Sequence, residues 1–177
     1  MQRRIPDAMR FLAPLLLCSV LNACATHAPV AEPGATFVLV RHAEKSTDDP
    51  KDPALTAAGH ARAQRLADTL ANAPLTAVYA TAYRRTQQTA APTAQARGLP
   101  VTTYDAKQPA AEFAASLRER HHDGSVLVVG HSNTVPGIAA ALCDCTVTEM
   151  PETEYDRLIT IRIAADGKAV LEQSRQH

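Results

Sequence analysis

The sequence predicts an α/β layer fold around a mixed sheet, and three observations carry that prediction. Short apolar, β-branched runs alternate with amphipathic helix-length segments from Thr36 onward. Cap and turn residues punctuate the alternation, and the chain closes on two successive strand-like runs around Asp166-Gly167. The 177 residues suffice for one domain with a single core, and neither an internal repeat nor a second domain is visible.

Thr36 to Val40 (TFVLV) reads as a buried strand. Thr56 caps a helix running to about Ala73, with Leu66 and Leu70 on one face, and Pro74 stops it. Gly59 is expected to let that helix pack closely. Ala77 to Ala80 forms the next strand, followed by a helix from about Tyr83 to Ala96 that ends at Gly98. Val101 to Thr103 is a third strand and Pro109 to His121 a third helix, with Phe113 and Leu117 inward. Ser125 to Val129 (SVLVV) is the clearest strand. Ser132 or Asn133 caps a helix through Leu142, with Pro136 in its first turn. Leu158 to Ile163 and Lys168 to Gln173 form a hairpin, so the sheet is mixed.

The first residues differ from the rest. Arg3, Arg4 and Arg10 precede an apolar run from Phe11 to Val20, too short to span a bilayer comfortably, which reads as an export signal over residues 1–23. The ending Leu21-Asn22-Ala23-Cys24 resembles the bacterial lipobox, in which the cysteine becomes the first mature residue and is acylated. An ordinary cleaved signal, or an uncleaved anchor, is the plainer alternative. Cleavage before Cys24 removes Arg3, Arg4, Arg10 and Asp7, so the 18 basic and 18 acidic residues become 15 and 17. Residues 24–34 then form a lipidated tether of at most about 35 Å, and residues 35–177 the domain. The expected location is outside the cytoplasm, facing the periplasm, with the lipid as the sole membrane contact.

Balanced charge argues against a general nucleic-acid binder, which would show a basic excess. Cys143 and Cys145 form a tight C-x-C pair that can oxidise in an exported protein or remain two buried thiols. Metal binding by the pair is disfavoured because no second ligand pair has suitable spacing.

Three polar clusters each follow a strand: Arg41-His42-Ala43-Glu44-Lys45, Thr81-Ala82-Tyr83-Arg84-Arg85-Thr86 and Gly130-His131-Ser132-Asn133. In open α/β sheets, ligands bind outside the carboxyl ends of strands, so these clusters should meet on one rim. Arginines and histidines together suit a phosphate dianion, since guanidinium forks match phosphoryl oxygens. The helices that begin after Thr81 and Ser132 add free N–H groups. Nearby cations disfavour imidazolium and keep His42 neutral, as a nucleophile must be.

RHAEK (41–45), LTAAGHARAQ (55–64), VYATAYRRTQQTA (78–90) and VVGHSNTVP (128–136) resemble the histidine phosphatase superfamily, the phosphoglycerate-mutase-like fold, in its smaller branch. The resemblance implies a three-layer sandwich with a mostly parallel mixed sheet and helices on both faces. It implies that His42 is phosphorylated, that His131 is the second pocket histidine, and that Arg41 and Arg85 clamp the phosphate. Arg85 rather than Arg84 fits, because the family arginine directly precedes the Thr-x-Gln-Thr run. Asn133 and Thr134 join the pocket lining. The family's acid follows the third strand, where Asp105 is the candidate; Glu44 and Glu154 are outside candidates, and a turn-capping role suits Asp105 almost equally. Glu152, Glu154 and Asp156 otherwise read as a solvated acidic loop. His60 reads as surface, and His121-His122 as a helix end.

Other chemistries fit worse. A cysteine phosphatase needs Cys-x5-Arg, but Glu149 and Pro151 stand six residues after Cys143 and Cys145. A serine elbow needs glycine where Thr134 stands. No carboxylate-histidine cluster suggests metal-dependent hydrolysis, so no metal or other cofactor is expected. A mutase needs a closed pocket, and only 12 residues separate His42 from Leu55. The expectation is therefore a metal-independent phosphate-monoester hydrolase. Its substrates would be small esters, phosphoproteins or envelope sugar phosphates. The alternative is a non-catalytic phosphate-binding or envelope-interaction protein that keeps the pocket.

Overall fold

The computed structural model describes Gln2 and residues 34–176. Apart from Gln2, the segment read as an export signal lies outside the described residues, as do Cys24 and all but Gly34 of the expected tether. Among the described residues no helix is long and apolar enough to cross a membrane.

Ten elements follow the predicted order: β1 (Ala35–Arg41), α1 (Ala57–Thr69), β2 (Leu75–Thr81), α2 (Arg84–Ala96), β3 (Val101–Tyr104), α3 (Ala110–Arg120), β4 (Ser125–Gly130), α4 (Val135–Cys143), β5 (Arg157–Ile163) and β6 (Ala169–Arg175). The strands form one sheet in the order β3-β2-β4-β1-β5-β6. β1 to β4 run parallel, and β5 and β6 add an antiparallel hairpin on the β1 edge. This is the three-layer mixed sandwich that the resemblance implies.

Strand periodicity divides the core in two. Phe37, Leu39, Val126 and Val128 pack with Phe113 and Leu117 of α3 and Ile138 and Leu142 of α4. The alternate residues Val38, Val40, Leu127 and Val129 pack with Leu66 of α1, Leu70 just past its end, and Ala90 and Ala94 of α2. β1 and β4 are covered on both faces, which is why their sequences are continuously apolar.

Helix ends differ from expectation in two places. α1 stops at Thr69 with Leu70 as its cap, short of Ala73, because Ala71 and Ala73 bond tightly back to Asp68 and Leu70 in turns. Its start is as read: Thr56 accepts the Gly59 N–H at 3.1 Å. A Cβ on Gly59 would lie 2.3 Å from the Glu44 carbonyl, so glycine permits the close approach of helix to strand end. The cap of α4 is Thr134, neither Ser132 nor Asn133. The Ser132 hydroxyl donates to Glu152 instead, and the Asn133 side chain is exposed. Cys143 and Cys145 are joined by a disulfide around Asp144, which adopts a left-handed φ of 50° and closes α4.

Candidate active site

Register creates the central pair of side chains. Arg41 lies opposite Gly130 in the parallel β1–β4 ladder, and His42 N extends it by donating to Gly130 O at 2.9 Å. The next residues, His42 and His131, are thereby neighbours, with ring centroids 5.4 Å apart. Both imidazoles are buried.

Hydrogen bonds fix the tautomers. His42 Nδ1 lies 2.8 Å from the Ala43 carbonyl, which can only accept, so Nδ1 carries the proton and Nε2 keeps its lone pair. His131 Nε2 is 3.0 Å from Thr81 Oγ1, which is 2.8 Å from Thr86 Oγ1. The Thr86 hydroxyl donates to the backbone carbonyl of Tyr83 or Thr81, so it must accept from Thr81. Thr81 in turn accepts from His131, whose proton therefore sits on Nε2.

Burial, above all, lowers the His42 pKa from 6.5 to about 3, aided by Arg41, His131 and Arg85 and opposed by the bond to Ala43. Burial, followed by Arg85 and Arg41, lowers His131 to about 4. Both rings are neutral at neutral pH.

A cavity of about 410 Å³ opens on these rings, lined also by Lys45, Tyr83, Arg85, Lys107, Ser132, Asn133, Thr134 and Glu152. The structure thus brings together His42, His131, Arg85, Asn133 and Thr134. Arg85 stacks on the Tyr83 ring at 4.3 Å, and its Nε and Nη1 are buried without a hydrogen-bond partner. Its Asp52 partner is 3.8 Å away. Arg84 instead faces solvent beside Asp48 and Asp52.

Arg41 is placed differently from the expectation of a simple clamp. Its Nη1 donates to the carbonyls of Pro151, Glu152 and Glu154, and its Nη2 to the Glu152 carboxylate at 2.8 Å. The guanidinium lies 4.2 Å from the centre of the Tyr155 ring. Arg41 acts on both imidazoles by its charge but is not among the residues that line the cavity.

The Asp105 carboxylate is not brought into the cavity. It accepts the Lys107 N–H at 2.9 Å in the turn after β3, while its neighbours Ala106 and Lys107 reach the lining. Glu44 is bound by Arg62 through both carboxylate oxygens, and Glu154 pairs with Arg157 and Arg175. The carboxylate that does line the cavity belongs to Glu152. Its bond from Ser132, and Arg41 beside it, hold its pKa below the ordinary value, so it is ionised at neutral pH. No local pattern marks Glu152: it enters through a loop that folds back on Arg41, 111 residues away in sequence. Among the described residues no group of three histidine, cysteine or acidic side chains is arranged to hold a metal.

Residues 37–106, which include Arg41, His42 and Arg85, match the model of the histidine phosphatase superfamily (branch 1). Among solved structures, the chain is similar to the protein histidine phosphatase SixA complexed with tungstate, at 20% identity and a TM-score of 0.62, covering 80% of this chain and 97% of that one. It is similar to YhfR of Bacillus stearothermophilus at 19% identity and a TM-score of 0.64, over 77% and 95% of the two chains. A mycobacterial glucosyl-3-phosphoglycerate phosphatase in complex with VO3 gives 15% identity and a TM-score of 0.62, over 80% and 99%. At such identities the likeness establishes a shared fold. No curated protein sequence matches the chain.

Proposed function

We propose that this chain, which belongs to the histidine phosphatase superfamily (branch 1), hydrolyses phosphate monoesters with His42 Nε2 as nucleophile. One observation carries the reading: a neutral imidazole with a free Nε2 lines the same cavity as the Arg85 guanidinium. In the first step the Nε2 lone pair attacks phosphorus and the bond to the leaving oxygen breaks. The leaving oxygen takes a proton. Water then attacks the phosphohistidine, releasing inorganic phosphate and restoring the imidazole.

Arg85 stabilises the equatorial oxygens of the transferring group, and Lys45 and Lys107 add charge at the rim. An arriving dianion raises the His131 pKa, so that ring becomes a donor to phosphate through Nδ1. No step requires a metal. The proton for the leaving group is the step for which no carboxylic acid stands in place. Asp105 reaches it only by releasing Lys107 N, which favours esters with good leaving groups. The same feature favours, as a second reading, a protein that binds phosphate or acts in envelope interactions without turnover.

Rapid quenching with labelled substrate separates the two. The expected result is an acid-labile, base-stable phosphoryl group on His42, absent from His42→Ala, which hydrolyses nothing detectable. An unchanged rate in His42→Ala would refute the mechanism, and tight phosphate binding without turnover across an ester panel would establish the binder. The candidate substrates are phosphoproteins, envelope sugar phosphates and small esters.

The location read from residues 1–34 completes the proposal: an exported lipoprotein tethered through Cys24 and facing the periplasm. Metabolic labelling with palmitate should mark the protein, and Cys24→Ser should abolish the label. Equal labelling of the two would refute the anchor.

A further inference from the structure

A second cavity, of about 500 Å³, adjoins the first and shares Ser132, Asn133 and Glu152 with it. The two differ in chemistry. The first is lined by Lys45, Arg85 and Lys107 beside the two histidines. The second is lined by Pro136, Ala140, Val147 and Met150 together with Glu149 and Glu152, and among the described residues no basic side chain borders it. The nearest cations are already engaged. Arg41 pairs with Glu152, and Arg157, which donates to the Thr148 and Glu149 carbonyls, pairs with Glu154. Glu149 itself is exposed, and its carboxylate has no ion-pair partner among the described residues.

We infer that the second cavity is the leaving-group subsite, and that it selects phosphate esters whose leaving group carries a protonated amine on an apolar chain. The inference rests on the phosphatase reading of the first cavity. A monoester bound there can send its organic part away from Lys45 and Lys107, over the shared residues Ser132, Asn133 and Glu152, toward the adjoining second cavity. Apolar carbons bury against Pro136, Ala140, Val147 and Met150. A terminal ammonium meets Glu149, whereas a terminal carboxylate is repelled there. Opposite charge at the two ends therefore fixes the direction in which the ligand lies.

The test uses the full-length protein and three non-hydrolysable phosphonates of matched length: hexyl, ω-aminohexyl and ω-carboxypentyl. Calorimetry reads their affinities, so the result stands independently of turnover. The amino compound should bind roughly twofold to fivefold more tightly than the hexyl compound, as expected for a partly screened charge contact, and the carboxy compound more weakly. Glu149→Gln should erase the spread, and Glu149→Lys should reverse its order. Both substitutions are at an exposed position, so thermal melts should report an unchanged fold. Equal affinities for the three compounds, or a spread that survives Glu149→Gln, would overturn the subsite. Failure of the wild-type protein to hydrolyse p-nitrophenyl phosphate would instead overturn the phosphatase reading, while the phosphonate affinities would still decide the subsite.

Discussion

The Glu152 carboxylate lies 2.8 Å from Arg41 Nη2, at the edge of the cavity that holds His42 and His131. An internal anion thus neutralises part of the charge that would attract phosphate. Glu152 is well exposed while Arg41 is buried, so the contact ties a loop to the site more than it adds stability. Glu152→Gln should tighten competitive inhibition by inorganic phosphate by roughly twofold to fivefold, the range expected when a charge is removed at a partly screened site. An unchanged inhibition constant would show that Glu152 does not compete.

Arg41 also anchors its loop through three backbone carbonyls. Arg41→Ala leaves those acceptors without their donor and should cost about 1–3 kcal/mol of stability as well as lowering activity. Arg85 makes only a 3.8 Å ion pair with Asp52 and a stack on exposed Tyr83, with no hydrogen bond at Nε or Nη1, so Arg85→Ala should lower activity with a smaller loss of stability. Denaturant titration alongside kinetics distinguishes a folding role from a binding role. Equal destabilisation by the two substitutions would contradict this division.

Thr81 orients the second histidine. Thr81→Val keeps shape but removes the acceptor for His131 Nε2 and the donor to Thr86. The loss of about 1 kcal/mol of net hydrogen bonding should lower kcat roughly fivefold, with His131 losing its fixed tautomer. Nitrogen chemical shifts of the His131 ring report that tautomer directly.

Acid should weaken the fold earlier than carboxylates alone would allow. His42 and His131 titrate near 3 and 4 in the folded chain but near 6.5 when unfolded. Below pH 6.5 the unfolded chain binds protons that the folded chain does not, so stability is complete above 6.5 and drains as pH falls. Down to about pH 4.5 the buried histidines dominate, with His121 a lesser contributor; below it Glu44, Glu152 and Glu154 add loss of the same sign. A tenfold difference in proton affinity between folded and unfolded chains is worth about 1.4 kcal/mol, so the fall should be measurable by thermal melts at pH 7 and pH 5. A double variant with asparagine at both positions should show a flatter profile, and an equal slope would refute the assignment.

Asp105→Asn should change hydrolysis of p-nitrophenyl and alkyl phosphates by less than about threefold, because its carboxylate is occupied by Lys107 N. A selective loss with alkyl esters would restore Asp105 as the proton donor. Without such a donor, rates should depend steeply on leaving-group acidity.

The elements were legible because their signals are local. Continuous apolar, β-branched runs marked β1 and β4, Thr56 marked the start of α1, and Asp166-Gly167 marked the hairpin turn. The three polar clusters were legible for the same reason, since each directly follows a strand and parallel strands end on one rim. The family resemblance suggested Asp105 as the acid by position alone, whereas the local pattern read it as a turn cap, which is where its carboxylate lies.

By itself the sequence determined an α/β sheet with His42, Arg85 and His131 at its carboxyl edge, since periodicity and strand ends are written residue by residue. Tertiary structure decided which nitrogen of His42 is free, through the Ala43 carbonyl, and which acid enters the cavity. The antiparallel pairing of β5 with β1 carries the loop at 151–155 back to Arg41, and so delivers Glu152 while Asp105 stays in its turn. Such placement depends on contacts more than a hundred residues apart, where no local periodicity operates.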